Sequence, residues 1–191
     1  MTLSAKEQKA IAGMLAALGR LSAGDGFSGE EDAPLSPEGL VPEGRLAAFL
    51  LEQTRLTTLS QGWHFNAFET TVSLDKGVGQ APEHTLAVLR SSPLLRLEET
   101  DNGQKLVSLK GPPYAEKATV EVSADISFGQ LPLPCRRYVE VKATRLLQDR
   151  LMTSPTLHAF TERDEMEAYA HLKMWEAEAQ APNMLTTLSM R

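Results

Sequence analysis

Ile11, Met14, Leu15 and Leu18 recur at i, i+3, i+4 and i+7, which predicts a short amphipathic helix from Ser4 to Gly19. From Leu21 to Glu43 nothing is periodic. Gly24-Asp25-Gly26, Pro34, Pro37 and Pro42 mark an exposed loop rich in glycine, proline and acid. Pro42 suits a first helical turn, and Leu46, Phe49, Leu50, Leu56, Leu59 and Trp63 then fall three to four residues apart, predicting a second helix that ends near Gln61-Gly62.

Between Phe68 and Gln130 the period changes. Phe68 to Leu74 partly alternates, Leu94 to Glu99 faces Lys105 to Leu109 across Asp101-Asn102-Gly103, and Thr119 to Ile126 alternates. The second of these is the strongest hairpin signal in the chain, because Asn-Gly supplies the backbone a tight turn demands. Pro132 and Pro134 close the region. Val139, Ala143, Leu146 and Leu147 then predict a third helix over Arg136 to Met152, ended or kinked at Ser154-Pro155. Leu157, Phe160, Ala168, Leu172, Trp175 and Ala179 mark a fourth helix from Thr156 to Ala181. The segment after Pro182 has apolar residues but no length for a core of its own, and reads as a docking arm. The expected fold is α+β and mainly helical: a helical bundle (about 4–20, 42–62 and 134–181) with a small antiparallel sheet inserted at about 67–130 and an arm at 182–191. All of it is expected in one domain, 1–191.

Composition narrows the classes of function. The chain has 191 residues, 42% hydrophobic and 23% charged, with a formal charge of −6. That balance is globular, and its acidic sign argues against a protein that grips duplex phosphates. One cysteine, Cys135, permits no intrachain disulfide and frames no zinc site. Charges alternate near Met1 where a secretory signal would be apolar, and no run is long enough to span a bilayer, so synthesis in a cytoplasm without membrane insertion is expected.

Candidate chemistry is sparse. His64, His84, His158 and His171 lie in four separate segments without an adjacent acid or nucleophile pattern. Glu167 and His171 stand at i, i+4 but lack a third metal ligand. Glu162, Asp164, Glu165 and Glu167 supply carboxylates for glycoside hydrolysis, yet acids near a helix start are also what the helix dipole favours. Gly24-Asp25-Gly26 and Gly77-Val78-Gly79 lack the context of a phosphate loop and read as turns. Cys135 beside Arg136 and Arg137 reads as a structural cysteine. Neither a catalytic residue, nor a metal ligand, nor a cofactor contact emerges. Gln61-Gly62-Trp63-His64-Phe65-Asn66 stands apart, because large aromatics flank a helix-ending glycine where most loops are polar. It predicts a tightly packed helix-to-sheet junction.

The order of these signals is familiar. Leu18-Gly19, the Gly62-Trp63-His64-Phe65-Asn66 junction, the strand-rich middle, Leu131-Pro132 leading into Arg136-Arg137-Tyr138-Val139-Glu140-Val141-Lys142-Ala143-Thr144-Arg145, the acidic last helix and Asn183-Met184-Leu185 together resemble the tail tubular protein A family. These are the adaptors, or head-to-tail connectors, of short-tailed bacteriophages (podoviruses). The resemblance implies a virion protein of the tail: a ring of twelve subunits between the portal protein and the tail nozzle (tubular protein B), around the channel of DNA ejection. It implies that genomic DNA passes without sequence-specific binding, and that no cofactor or enzymatic activity is needed. Gly62, Trp63, Phe65 and Asn66 would carry the family's packing signature. Arg136, Arg137, Lys142, Arg145, Asn183, Met184 and Leu185 would contribute subunit or portal contacts. The Gly24 to Gly44 loop and a middle poor in aromatics depart from the family pattern. Charge fits a head-to-tail ring: Leu131 to Met152 holds five bases and two acids, Thr153 to Arg191 six acids and three bases, and such a contact needs unlike faces. The alternative reading is a tail-associated hydrolase of cell-wall or capsular polysaccharide.

Overall fold

The computed structural model describes residues 2–19, 40–101, 103–152 and 155–180. The predicted loop up to Gly39, Ser154 and the arm with Asn183, Met184 and Leu185 lie outside the described residues. The chain divides into two compact units, Met1–Leu51 with Leu131–Arg191, and Glu52–Gln130.

The first unit is helical. Helix α1, Ala5–Ala17, opens on a capping box in which the Glu7 N–H donates to Ser4 Oγ at 3.3 Å and the Ser4 N–H donates to the Glu7 carboxylate at 2.7 Å. Ala10, Ile11, Met14 and Leu15 are its buried face; Ile11, Met14 and Leu15 belong to the predicted stripe, whose fourth member, Leu18, is buried just past the helix end. Helix α3, Leu133–Leu151, carries Pro134 in its first turn, where the missing N–H costs no helical bond. It buries Cys135, Tyr138, Val139, Ala143, Leu147 and Gln148. Helix α4, Pro155–Gln180, runs antiparallel to α3. Tyr138 meets Tyr169 with ring centroids 5.1 Å apart, Arg145 bonds Glu165, and Asp149 meets His158 at 2.7 Å. Ala168 and Leu172 are the predicted α4 positions that it buries.

Helix α2, Pro42–Leu59, begins at the proline that predicts it. Its buried positions are Ala47, Leu50, Leu51, Thr54, Arg55, Thr58 and Leu59, while Phe49, placed by sequence on the apolar stripe, is 51% exposed. The stripe turns polar over its last two turns, so counting apolar residues alone aims it wrongly.

The second unit holds β1 (Ala67–Ser73), β2 (Val78–Gln80), β3 (Thr85–Ser92), β4 (Leu95–Thr100), β5 (Gly103–Ser108) and β6 (Lys117–Ala124). They form two antiparallel sheets, ordered β1-β6-β3 and β2-β5-β4. The predicted hairpin is β4–β5, with Glu98 opposite Lys105 and Thr100 opposite Gly103. In β6, Ala118, Val120 and Val122 turn one way. They share a core with Leu74, Ala81, Leu95 and Leu106, so both sheets close over one apolar interior.

This corrects the expected fold class. The chain is not a helical bundle with a small inserted sheet but a mixed α+β protein, whose strands build two three-stranded sheets around their own core. Two strands account for the difference. In β3 the register slips between Thr85 and Ala87 and again between Val88 and Arg90, and such bulges erase the two-residue period on which strand prediction rests. In β2, Val78 and Gly79 belong to a strand although Gly77-Val78-Gly79 reads as a turn. Only Gly77, at φ +83°, is turn-like. Gly79 is a strand residue without a side chain because a Cβ there would lie 2.7 Å from the Ser73 carbonyl oxygen.

Candidate functional surfaces

The Gly62 to Asn66 run lies where α2 gives way to β1. Gly62 takes φ +73°, a backbone conformation that calls for glycine, and a Cβ on it would also press on the Leu89 side chain. Trp63 is 2% exposed and donates from Nε1 to the Thr58 carbonyl at 2.7 Å, satisfying the ring's polar atom inside the unit. Asn66 is the centre of the junction. Its Oδ1 accepts from the Trp63 N–H at 2.8 Å, and its Nδ2 donates to the carbonyls of Leu59 at 2.9 Å and Ala124 at 3.0 Å. One amide thus ties the end of α2, the following turn and the end of β6. Phe65 is half-buried and meets the His64 ring edge-on at 5.6 Å.

A second buried knot nearby escapes the sequence reading. Arg55 is 4% exposed and bonds Glu52 at 2.7 Å, the Asp125 carboxylate and the Ile126 carbonyl. Burial by itself would lower its pKa, but the bonds to Glu52 and Asp125 outweigh that and raise it. The available signal is a cation four residues from Leu51 and four from Leu59, on the buried side of α2, with an acid three residues before it. The Trp63 junction and the Arg55 knot are holding devices.

On the helical unit the predicted contact residues divide. Arg145 bonds Glu165 and Asp149, and Lys142 lies 3.7 Å from Glu165, so both face α4 of the same chain. Burial would depress the Arg145 pKa, and the bond to Glu165 reverses it. Arg136 is half-buried and Arg137 exposed. Both, with Lys9, oppose the burial that raises the pKa of Glu140. Cys135 is fully buried, and burial pushes its thiol up to about 12 despite the adjacent arginines. The fourth-helix acids do not form a pair across a cleft: Glu165 is bonded to α3, Asp164 lines a groove with Lys6, Lys9 and Arg136, and Glu162 and Glu167 are exposed. Glu167 and His171 both stand on exposed positions. Among the described residues no group of histidine, cysteine or carboxylate side chains could hold a metal, and no helix is long and apolar enough to cross a membrane.

What the helical unit does present is uncovered apolar side chains. Val41, Phe49, Leu133, Met166 and Met174 are each at least half exposed, an arrangement that marks interaction surfaces when it clusters. The sequence matches the tail tubular protein family over residues 29–182, and the protein belongs to that family: it is a structural protein of the phage virion tail. Comparison with curated proteins gives no match.

Proposed function

We propose that the protein is the tail adaptor of a short-tailed phage: about twelve copies form a ring that joins the portal to the tail nozzle and encloses the DNA ejection channel. The observation that carries this reading is the set of exposed apolar side chains on the helical unit of a tail tubular protein, Leu133, Met166 and Met174 chief among them. A subunit with a neighbour on each side and a partner above needs more than one such surface. Arg136 and Arg137 at the start of α3, and the exposed acids Glu162 and Glu167 on α4, give those surfaces opposite charge. The net charge of −6 suits a ring through which DNA slides without being held. The hydrolase alternative draws no support from α4, where Glu165 is bonded to Arg145 of α3 while Glu162 and Glu167 are exposed.

The test is to mix the purified protein with purified portal rings of the same phage and weigh the product, with each component alone as control. A complex heavier than the portal by about twelve subunits is the expected result. Portal rings of unchanged mass, with the protein still monomeric, overturn the adaptor reading.

A further inference from the structure

We infer that an exposed ridge on the first turns of α2 seats in the groove between the start of α3 and the end of α4 of a second copy of the chain. This rests on the ring proposed above and says how one subunit holds the next. The ridge is Val41, Arg45 and Phe49, each one helical turn from the next and all exposed. The groove has a volume of about 370 Å³, with Leu133 and Arg137 on its α3 side and His171, Met174, Trp175 and Glu178 on its α4 side. Leu133 is 69% and Met174 62% exposed. Ridge and groove belong to one compact unit, and both keep their apolar side chains in solvent, so the chain does not cover its own groove with its own ridge.

Shape and charge select the occupant. Among the described residues of the helical unit, four of the five large apolar side chains that are at least half exposed fall into these two sets, Val41 and Phe49 on the ridge, Leu133 and Met174 in the groove. Joining the two takes most of that uncovered apolar surface out of water. Phe49 and Arg45 are four residues apart on α2, as Met174 and Glu178 are on α4, about 6 Å along either helix. With α2 of one copy antiparallel to α4 of the next, Phe49 between Leu133 and Met174 brings Arg45 level with Glu178. Both charges are exposed, and neither has an ion-pair partner in its own chain among the described residues. A turn further along α2, exposed Gln53 comes level with His171 and Arg137, whose guanidinium donates to its side-chain oxygen. Ridge and groove therefore match in order, base against acid, apolar against apolar, amide against cation. Because the two surfaces are different, the contact is heterologous. Each subunit offers its ridge to one neighbour and its groove to the other, which repeats around a closed ring with every groove filled.

Disulfide trapping tests this. Cys135 is fully buried, so the wild-type chain is a clean control. The variant carrying F49C and M174C is assembled on portal rings and oxidised, with F49C and L133C as the second pair. The product should run as a ladder of covalent multimers on a non-reducing gel and collapse to monomer with reductant. Either single variant alone should give no multimers, and an equal mixture of F49C and M174C chains should give dimers and nothing longer. Charge supplies an independent readout: R45E and E178R should each lower incorporation into portal complexes several-fold, and the variant carrying both should recover it. A disulfide-bonded monomer, or no disulfide from either pair in a portal complex of normal mass, overturns the assignment, as does a double charge variant no better than the singles. If wild-type protein does not join the portal, the ring reading fails separately. The same oxidation on concentrated free protein then decides the contact: multimers support it, and their absence overturns it.

Discussion

Asn66 and Trp63 show how much of this protein depends on single side chains. Replacing Trp63 with alanine removes a buried ring and its bond to the Thr58 carbonyl, and the expected loss is about 3 kcal/mol or more. Asn66→Ala should cost about 1 to 3 kcal/mol without emptying much volume, because it removes the Oδ1 acceptor of the Trp63 N–H and one donor each to the Ala124 carbonyl and to the Leu59 carbonyl, which keeps the Gly62 N–H at 3.1 Å. Urea unfolding of both variants checks this, and midpoints matching the wild type would refute the junction's structural weight. Glu140 makes a prediction of the opposite sign. Burial raises its pKa and Arg136, Arg137 and Lys9 only partly offset this, so its charged form is less favourable in the folded chain than in the unfolded one. Stability from this group is therefore lost as pH rises from the ordinary carboxylate range through its raised value, and it is unaffected below both. Glu140→Gln should be more stable than wild type at pH 7, with the difference vanishing toward pH 4. Thermal melts at both pH values decide it.

At the scale of elements, α3 and α4 are joined by apolar contact and by Glu165. That carboxylate accepts from Arg145 and stands near Lys142, and Glu165→Gln takes that counter-charge from Lys142 and leaves Arg145 with Asp149 alone. The expected cost is about 1.5 to 3 kcal/mol, read as a lower denaturation midpoint. It should fall to a few tenths in the double variant with Arg145→Gln, which a double-mutant cycle measures directly. The elements also show where local pattern suffices. The α1 capping box, Pro42 at the start of α2 and Pro134 in α3 act within one turn, so they are readable in sequence. The β4–β5 hairpin is readable for the same reason, since its turn and its two strands are neighbours. Strand β3 is not, because its bulges are forced by pairing with β6 some thirty residues away and leave no period of their own. Arg55 looks like an ordinary surface cation until Asp125 is brought to it.

For the whole molecule, the docking arm expected after Pro182 separates folding from assembly. If the segment after Pro182 is a docking arm, a chain ending at Pro182 should melt with the full-length protein. It should lose stable incorporation into portal complexes. Equal incorporation of the truncated chain, measured by mass, would refute a role for the arm. Family membership rests on features spread along most of the chain, residues 29–182, which is why an ordered set of weak signals in sequence suffices to recognise it. The existence of the four helices, the hairpin and the odd aromatic run at Gly62-Trp63 follow from interactions among residues close in sequence. The partition of the strands into two sheets, the three bonds of Asn66, the buried Arg55 and the pairing of Lys142 and Arg145 with Glu165 were decided only by tertiary structure. Each depends on groups far apart along the chain, whose meeting is set by the packing of the core.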